Sequence, residues 1–85
     1  ALAESSLIAA YIAQNMYDKA IEQANAFEAK YPNHFILAQV KTHKALATEL
    51  SGKPQEAKAM YLEIAEQYPS SYSASLAKLQ ADKIK

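Results

Sequence analysis

Apolar residues recur along this chain at steps of three and four, interrupted by a few turn-forming residues. Over about Leu2 to Gln14, Ala3, Leu7, Ala10 and Tyr11 fall on one side of a first predicted helix. Asn15 follows, where a left-handed residue is wanted and asparagine tolerates that geometry. A second helix is predicted from Tyr17 to Lys30, striped by Tyr17, Ala20, Ile21, Ala24, Phe27 and Tyr31. Pro32 cannot continue it and disfavours helical geometry at Tyr31 as well. A third helix is predicted from Phe35 to Ser51, with Ile36, Val40, Ala47 and Leu50 facing inward and Gly52 ending it. Pro54 suits the first turn of a fourth helix, whose face Ala57, Tyr61, Ile64, Ala65 and Tyr68 runs to Pro69. The Ser70-Ser71 pair then offers an N-cap to a fifth helix, from Tyr72 to Lys83, carrying Tyr72, Leu76 and Leu79 on one side.

The pattern repeats. Tyr31-Pro32-Asn33-His34 returns as Tyr68-Pro69-Ser70-Ser71, a shift of 37 residues. The same shift carries Ala10 onto Ala47, Asn15 onto Gly52, Ala20 onto Ala57 and Phe27 onto Ile64. A period between 20 and 50 residues marks a stacked solenoid, because one helix pair cannot bury both of its faces alone. Composition agrees: one Gly and three Pro in 85 residues favour a few long helices over many short strands. A hydrophobic fraction of 51% suffices for a core, although much of it is alanine, which adds little buried volume. The expectation is one all-α domain over 1–85, with one unit at 1–34, a second at 35–71 and a terminal capping helix at 72–85.

The residues that carry this pattern resemble the tetratricopeptide repeat. Leu7, Tyr11, Tyr17, Ala20, Phe27 and Pro32 fall at that family's spacing in the first unit. Ala45, Gly52, Ala57, Tyr61 and Pro69 do so in the second. Departures are Glu4 in place of a common tryptophan, Ile8 in place of a small residue, Asn15 for glycine, Lys44 for an apolar residue, and three extra residues after Pro32. The resemblance implies a right-handed superhelical stack of antiparallel helix pairs, and a protein-binding scaffold rather than an enzyme. The tyrosine–proline closures, with serines after the second, also look like repeats of bacterial envelope lipoproteins and assembly factors, which implies a periplasmic or cell-envelope location.

Charge and candidate chemistry narrow the function further. Nine Lys balance nine Asp plus Glu, and arginine is missing, so nothing in the charge favours a nucleic-acid partner. No apolar run is long enough to span a membrane. Without cysteine there are no disulfides or thiolate metal sites. His34 and His43 stand about 90° apart on a common helix with no bracketing acids, so no metal is expected. Ser75-Leu76-Ala77-Lys78 matches a Ser-x-x-Lys nucleophile signature, but nothing around it supplies the companion motifs of such an enzyme. No catalytic residue and no cofactor are expected.

What remains is a surface. In the family the first helix of each pair lines a concave groove that holds an extended peptide or a partner's helix. By position, that groove takes Leu2, Ser5, Ala9, Ile12 and Ala13 from the first unit and Gln39, Thr42, Leu46, Glu49 and Leu50 from the second. This lining is small, apolar and almost uncharged, and it lacks a basic clamp for a carboxyl terminus. It suits a helix or apolar segment docking by its own stripe. The alternative is a structural or self-associating segment, in which Ile12, Leu46 and Leu50 pack against further repeats or another copy.

Overall fold

A computed structural model of the chain describes residues 2–32 and 36–84, with side chains from residue 6 onward. The predicted Phe35 start of the third helix, Glu4 and His34 therefore lie outside the described residues or side chains. Five helices follow one another: α1 (Leu2–Ala13), α2 (Tyr17–Lys30), α3 (Leu37–Leu50), α4 (Pro54–Gln67) and α5 (Tyr72–Lys83). No strand occurs among the described residues.

The punctuation works as the residue types dictate. Asn15 adopts φ 63 and Gly52 φ 98, the left-handed conformation that reverses the chain after the first helix of each unit. Pro54 occupies the first turn of α4, where its missing N–H is not required. Asp18 and Glu56 sit in the first turns of α2 and α4, where a negative charge is favoured. Ser71 caps α5: its Oγ accepts from the Ala74 backbone N–H at 3.0 Å.

Each helix packs on the next in sequence, and α3 also meets α1 and α5. The central α3 thus serves two cores. Its Leu37, Val40 and Ala47 join Ile8, Ala20, Ala24 and Phe27 in the first. Its Ala45 joins Ala57, Tyr61, Ile64, Ala77, Ala81 and Ile84 in the second. Ala20 and Ala57 are both wholly buried, which lets the two helices of each unit approach closely.

Two expectations change. Ile8, not Leu7 or Ala10, is the buried residue of α1, while Leu7 and Ala10 are exposed. The family position usually held by a small residue is filled here by a large one, which shares its core cluster with the small Ala20 and Ala24. Leu50 does not face inward, because it is 48% exposed on the last turn of α3. Tyr61 is wholly buried, and its hydroxyl donates a hydrogen bond to Glu49 at 3.1 Å. Lys44, the polar residue at an apolar position, stays half-buried by pairing with Glu28 of α2 at 3.7 Å.

Candidate protein-binding surface

The stack curves toward its first helices. α3 touches α1 on one side and α5 on the other, whereas α2 and α4 do not meet among the described residues. The inside of the curve is therefore lined by α1, α3 and α5. On α3, the buried residues Leu37, Ala38, Val40, Ala45, Ala47 and Thr48 occupy one half of the helix. Gln39, Thr42, Leu46, Glu49 and Leu50 fall on the other half, at steps of three and four.

These five side chains are not equivalent. Gln39 and Leu50 are exposed, while Thr42, Leu46 and Glu49 are half-buried. Thr42 Oγ1 donates to the Ala38 carbonyl at 2.8 Å, so its hydroxyl serves its own helix and its methyl is left for the surface. Glu49 is held by the Tyr61 hydroxyl. On α1, Ala9 and Ala13 are exposed, but Ile12 is half-buried against the first core cluster and belongs partly to the core. The Leu2 and Ser5 side chains lie outside those described.

Between α3 and the start of α5 lies an open hollow of about 350 Å³, bordered by Ile36, Gln39, Thr42, His43, Tyr72 and Leu76. His43 is half-buried there, and its Nδ1 has no hydrogen-bond partner among the described residues. Burial pushes its pKa below the ordinary 6.5, favouring the neutral ring. None of the residues bordering the hollow is an aspartate, glutamate or lysine.

The α5 contribution was missed. Tyr72, Leu76 and Leu79 form a stripe that reads from sequence as a packing face, yet Tyr72 is 78% and Leu79 59% exposed. The face that packs is the alanine one, Ala74, Ala77 and Ala81, closed by Ile84. A second step of the 37-residue shift was the available signal, since it carries Gln39 onto Leu76 and Thr42 onto Leu79.

Ser75 and Lys78, the two members of the nucleophile-like signature, lie exposed with Asp82 on the outer side of α5. No group of three or more His, Cys, Asp or Glu able to hold a metal occurs among the described residues. Among the described residues, no helix is long and apolar enough to cross a membrane.

Two helix pairs, each closed by a tyrosine–proline step and stacked through α3, are what a comparison with known families identifies. The family model for the tetratricopeptide repeat matches residues 7–34 and 37–71. The chain belongs to the tetratricopeptide repeat family. No individual curated protein matches it. Tetratricopeptide repeats are in general protein–protein interaction modules without enzymatic activity of their own.

Proposed function

We propose that this tetratricopeptide repeat domain is a scaffold or adaptor segment that holds a helix or an apolar peptide of another protein along α1, α3 and α5. It acts without catalysis, cofactor or nucleic acid. What supports this reading is the exposure of Leu50 on α3 and of Tyr72 and Leu79 on α5, at positions that the helical register puts on the α1–α3–α5 side. Exposed large apolar side chains grouped on one face mark an interaction site more often than scattered single ones do. Gln39, Thr42, Leu46 and Glu49 fill the space between them, with Ala9 and Ala13 continuing the surface on α1. The same reading treats the chain as two units, 1–34 and 35–71, closed by a terminal helix at 72–85.

The test is a selection of helical and extended peptides from a random library, with bound peptides located by amide chemical shifts. Ligands should perturb Gln39, Leu46, Leu50 and Leu79, and Leu50→Glu or Leu79→Glu should weaken binding at least ~10-fold, about 1.4 kcal/mol. Both positions are exposed, so the variants should fold. Ligands that cluster on the convex face of α2 and α4, indifferent to both substitutions, would reject the groove. The same exposed groups also favour self-association, which sedimentation equilibrium over a hundredfold concentration range distinguishes. A chain that stays monomeric leaves the groove open for a different protein.

A further inference from the structure

The hollow between α3 and the start of α5 differs chemically from other hollows on the surface. Three of those are each edged by charged side chains: Lys19 and Glu22 in one, Glu28 and Lys44 in a second, Glu66 and Lys78 in a third. The α3–α5 hollow has no aspartate, glutamate or lysine at its border. Its volume of about 350 Å³ stands at the small end of the range for ligand sites, about 300–1,000 Å³. Its border is apolar at Ile36, Ala38 and Leu76, and the Tyr72 beside them is 78% exposed. Two of its polar groups are already committed. Thr42 Oγ1 donates to the Ala38 carbonyl, and Ser71 Oγ donates to the Tyr68 carbonyl while accepting from the Ala74 N–H. The Gln39 amide and the Ser73 hydroxyl, on the same border, make no hydrogen bond among the described residues.

A side chain that enters this hollow gives up water. A carboxylate or an ammonium would find no counter-ion at the border, and desolvating a charge without one is costly. An aliphatic side chain would cover the Gln39 amide without pairing it, which forfeits a hydrogen bond. An aromatic side chain with a polar tip meets both demands. Its ring packs on Ile36, Leu76 and Tyr72, and its O–H or N–H pairs with the Gln39 side-chain carbonyl. We propose that the hollow is the anchor pocket of the groove and takes one tyrosine or tryptophan side chain of the bound partner. This names the partner's anchoring residue for the binding surface proposed above, and it rests on that reading. A single aromatic anchor in a desolvated pocket commonly carries a large share of the affinity at a protein interface.

Capped single residues test the pocket without the partner. The N-acetyl amides of tyrosine, tryptophan, phenylalanine, leucine, glutamate and lysine are titrated into the 85-residue chain at pH 7, and amide chemical shifts are followed. The tyrosine and tryptophan probes should saturate in the millimolar range and shift Gln39, Thr42, Ser73 and Leu76. Tyrosine should bind at least ~3-fold more tightly than phenylalanine, and the glutamate and lysine probes should leave these signals in place. Gln39→Leu, at an exposed position, should abolish the preference for tyrosine while retaining phenylalanine. Leu79 does not border the hollow, so Leu79→Glu should leave the tyrosine probe's affinity unchanged even as it weakens peptides held along the groove. No saturable shift, equal affinity for tyrosine and leucine, or a tyrosine preference that survives Gln39→Leu would overturn the anchor pocket. Selected peptides that depend on Leu79 but place no aromatic residue at the hollow would overturn it too, and would leave the groove standing. Peptides indifferent to both Leu50→Glu and Leu79→Glu would instead remove the groove, and this inference with it.

Discussion

The Tyr61 hydroxyl donates to Glu49 Oε1 at 3.1 Å, tying the buried face of α4 to the groove side of α3. The side chain at the bottom of the second core therefore orients one that belongs to the proposed binding surface. Removing the hydroxyl in Tyr61→Phe keeps the ring and its packing but ends this tie. Chemical denaturation at pH 7 should show a loss of about 1 kcal/mol, with the groove side of α3 gaining mobility at Glu49. A variant as stable as the parent would mean that Glu49 finds an equal partner in water.

The same pair makes a prediction at alkaline pH. Burial, and then the nearby Glu49 charge and its hydrogen bond, push the Tyr61 phenol well above its ordinary 10. The folded state thus holds the proton more tightly than the unfolded chain does. The stability this contributes is complete below pH 10 and is lost as pH rises above it, toward the folded-state value. Tyr61→Phe lacks this loss, so the stability gap between parent and variant should narrow from pH 9 to pH 11. A gap constant over that range would contradict the assignment.

Core size is distributed differently in the two units. In the first, Ile8 is large and Ala24 small; at the equivalent positions of the second, Ala45 is small and Tyr61 large, and all four are wholly buried. Filling from the first helix in one unit and from the second helix in the other keeps both cores occupied. Ile8→Ala should therefore cost about 2–4 kcal/mol, whereas Leu7→Ala beside it should stay within about 0.5 kcal/mol. Ala20→Leu should overpack the crossing of α1 and α2 and cost about 1–3 kcal/mol. Thermal melts of the three variants check the order, and an Ala20→Leu protein that melts like the parent would remove Ala20 from that crossing.

These contrasts show what was legible in the sequence. Turn residues with a single physical role, Asn15, Gly52, Pro54 and Ser71, fixed the helix ends almost to the residue. The stripes of α2 and α4 were legible too, because each packs on neighbours through one apolar face. The first helices were harder. α1 has apolar residues on several sides, so periodicity could not choose Ile8 over Leu7, and α5 carries an alanine face and a larger Tyr72–Leu79 stripe in competition. Side-chain size favours the second stripe, but the close approach of α4 favours alanine. That close approach is a property of packed helices, and a period along one helix does not contain it.

His43 provides an acid-side test. Its ring is half-buried beside the hollow between α3 and α5, its Nδ1 lacks a partner among the described residues, and desolvation lowers its pKa from 6.5. The unfolded chain thus binds this proton more readily than the folded one. The stability due to the neutral ring is present above pH 6.5 and falls as pH drops below it. His43→Leu should be at least as stable as the parent at pH 7, since it removes an unpartnered polar atom. Its advantage should grow between pH 7 and pH 5.5, as read from urea midpoints. An advantage that shrinks over that interval would mean that the protonated ring gains a partner.

The turn at Gly52 separates backbone strain from crowding. Its φ of +98 lies where side chains are disfavoured, yet a Cβ built there meets nothing within 4 Å. Gly52→Ala therefore adds no clash, and its cost should be the conformational one alone, about 1 kcal/mol. Gly52→Asn should cost less, because asparagine adopts left-handed geometry at the equivalent Asn15, φ 63. The converse change, Asn15→Gly, relaxes the backbone but loses the exposed Tyr17 hydroxyl bond to Asn15 Oδ1 at 2.8 Å, so its net effect should be close to zero. Melting temperatures should rank parent, Gly52→Asn and Gly52→Ala in descending order. If alanine and asparagine were equally tolerated, the turn would have moved to a right-handed form, and the bond from the Gly52 N–H to the Glu49 carbonyl, 3.1 Å in the parent, would be the first place to look for the change.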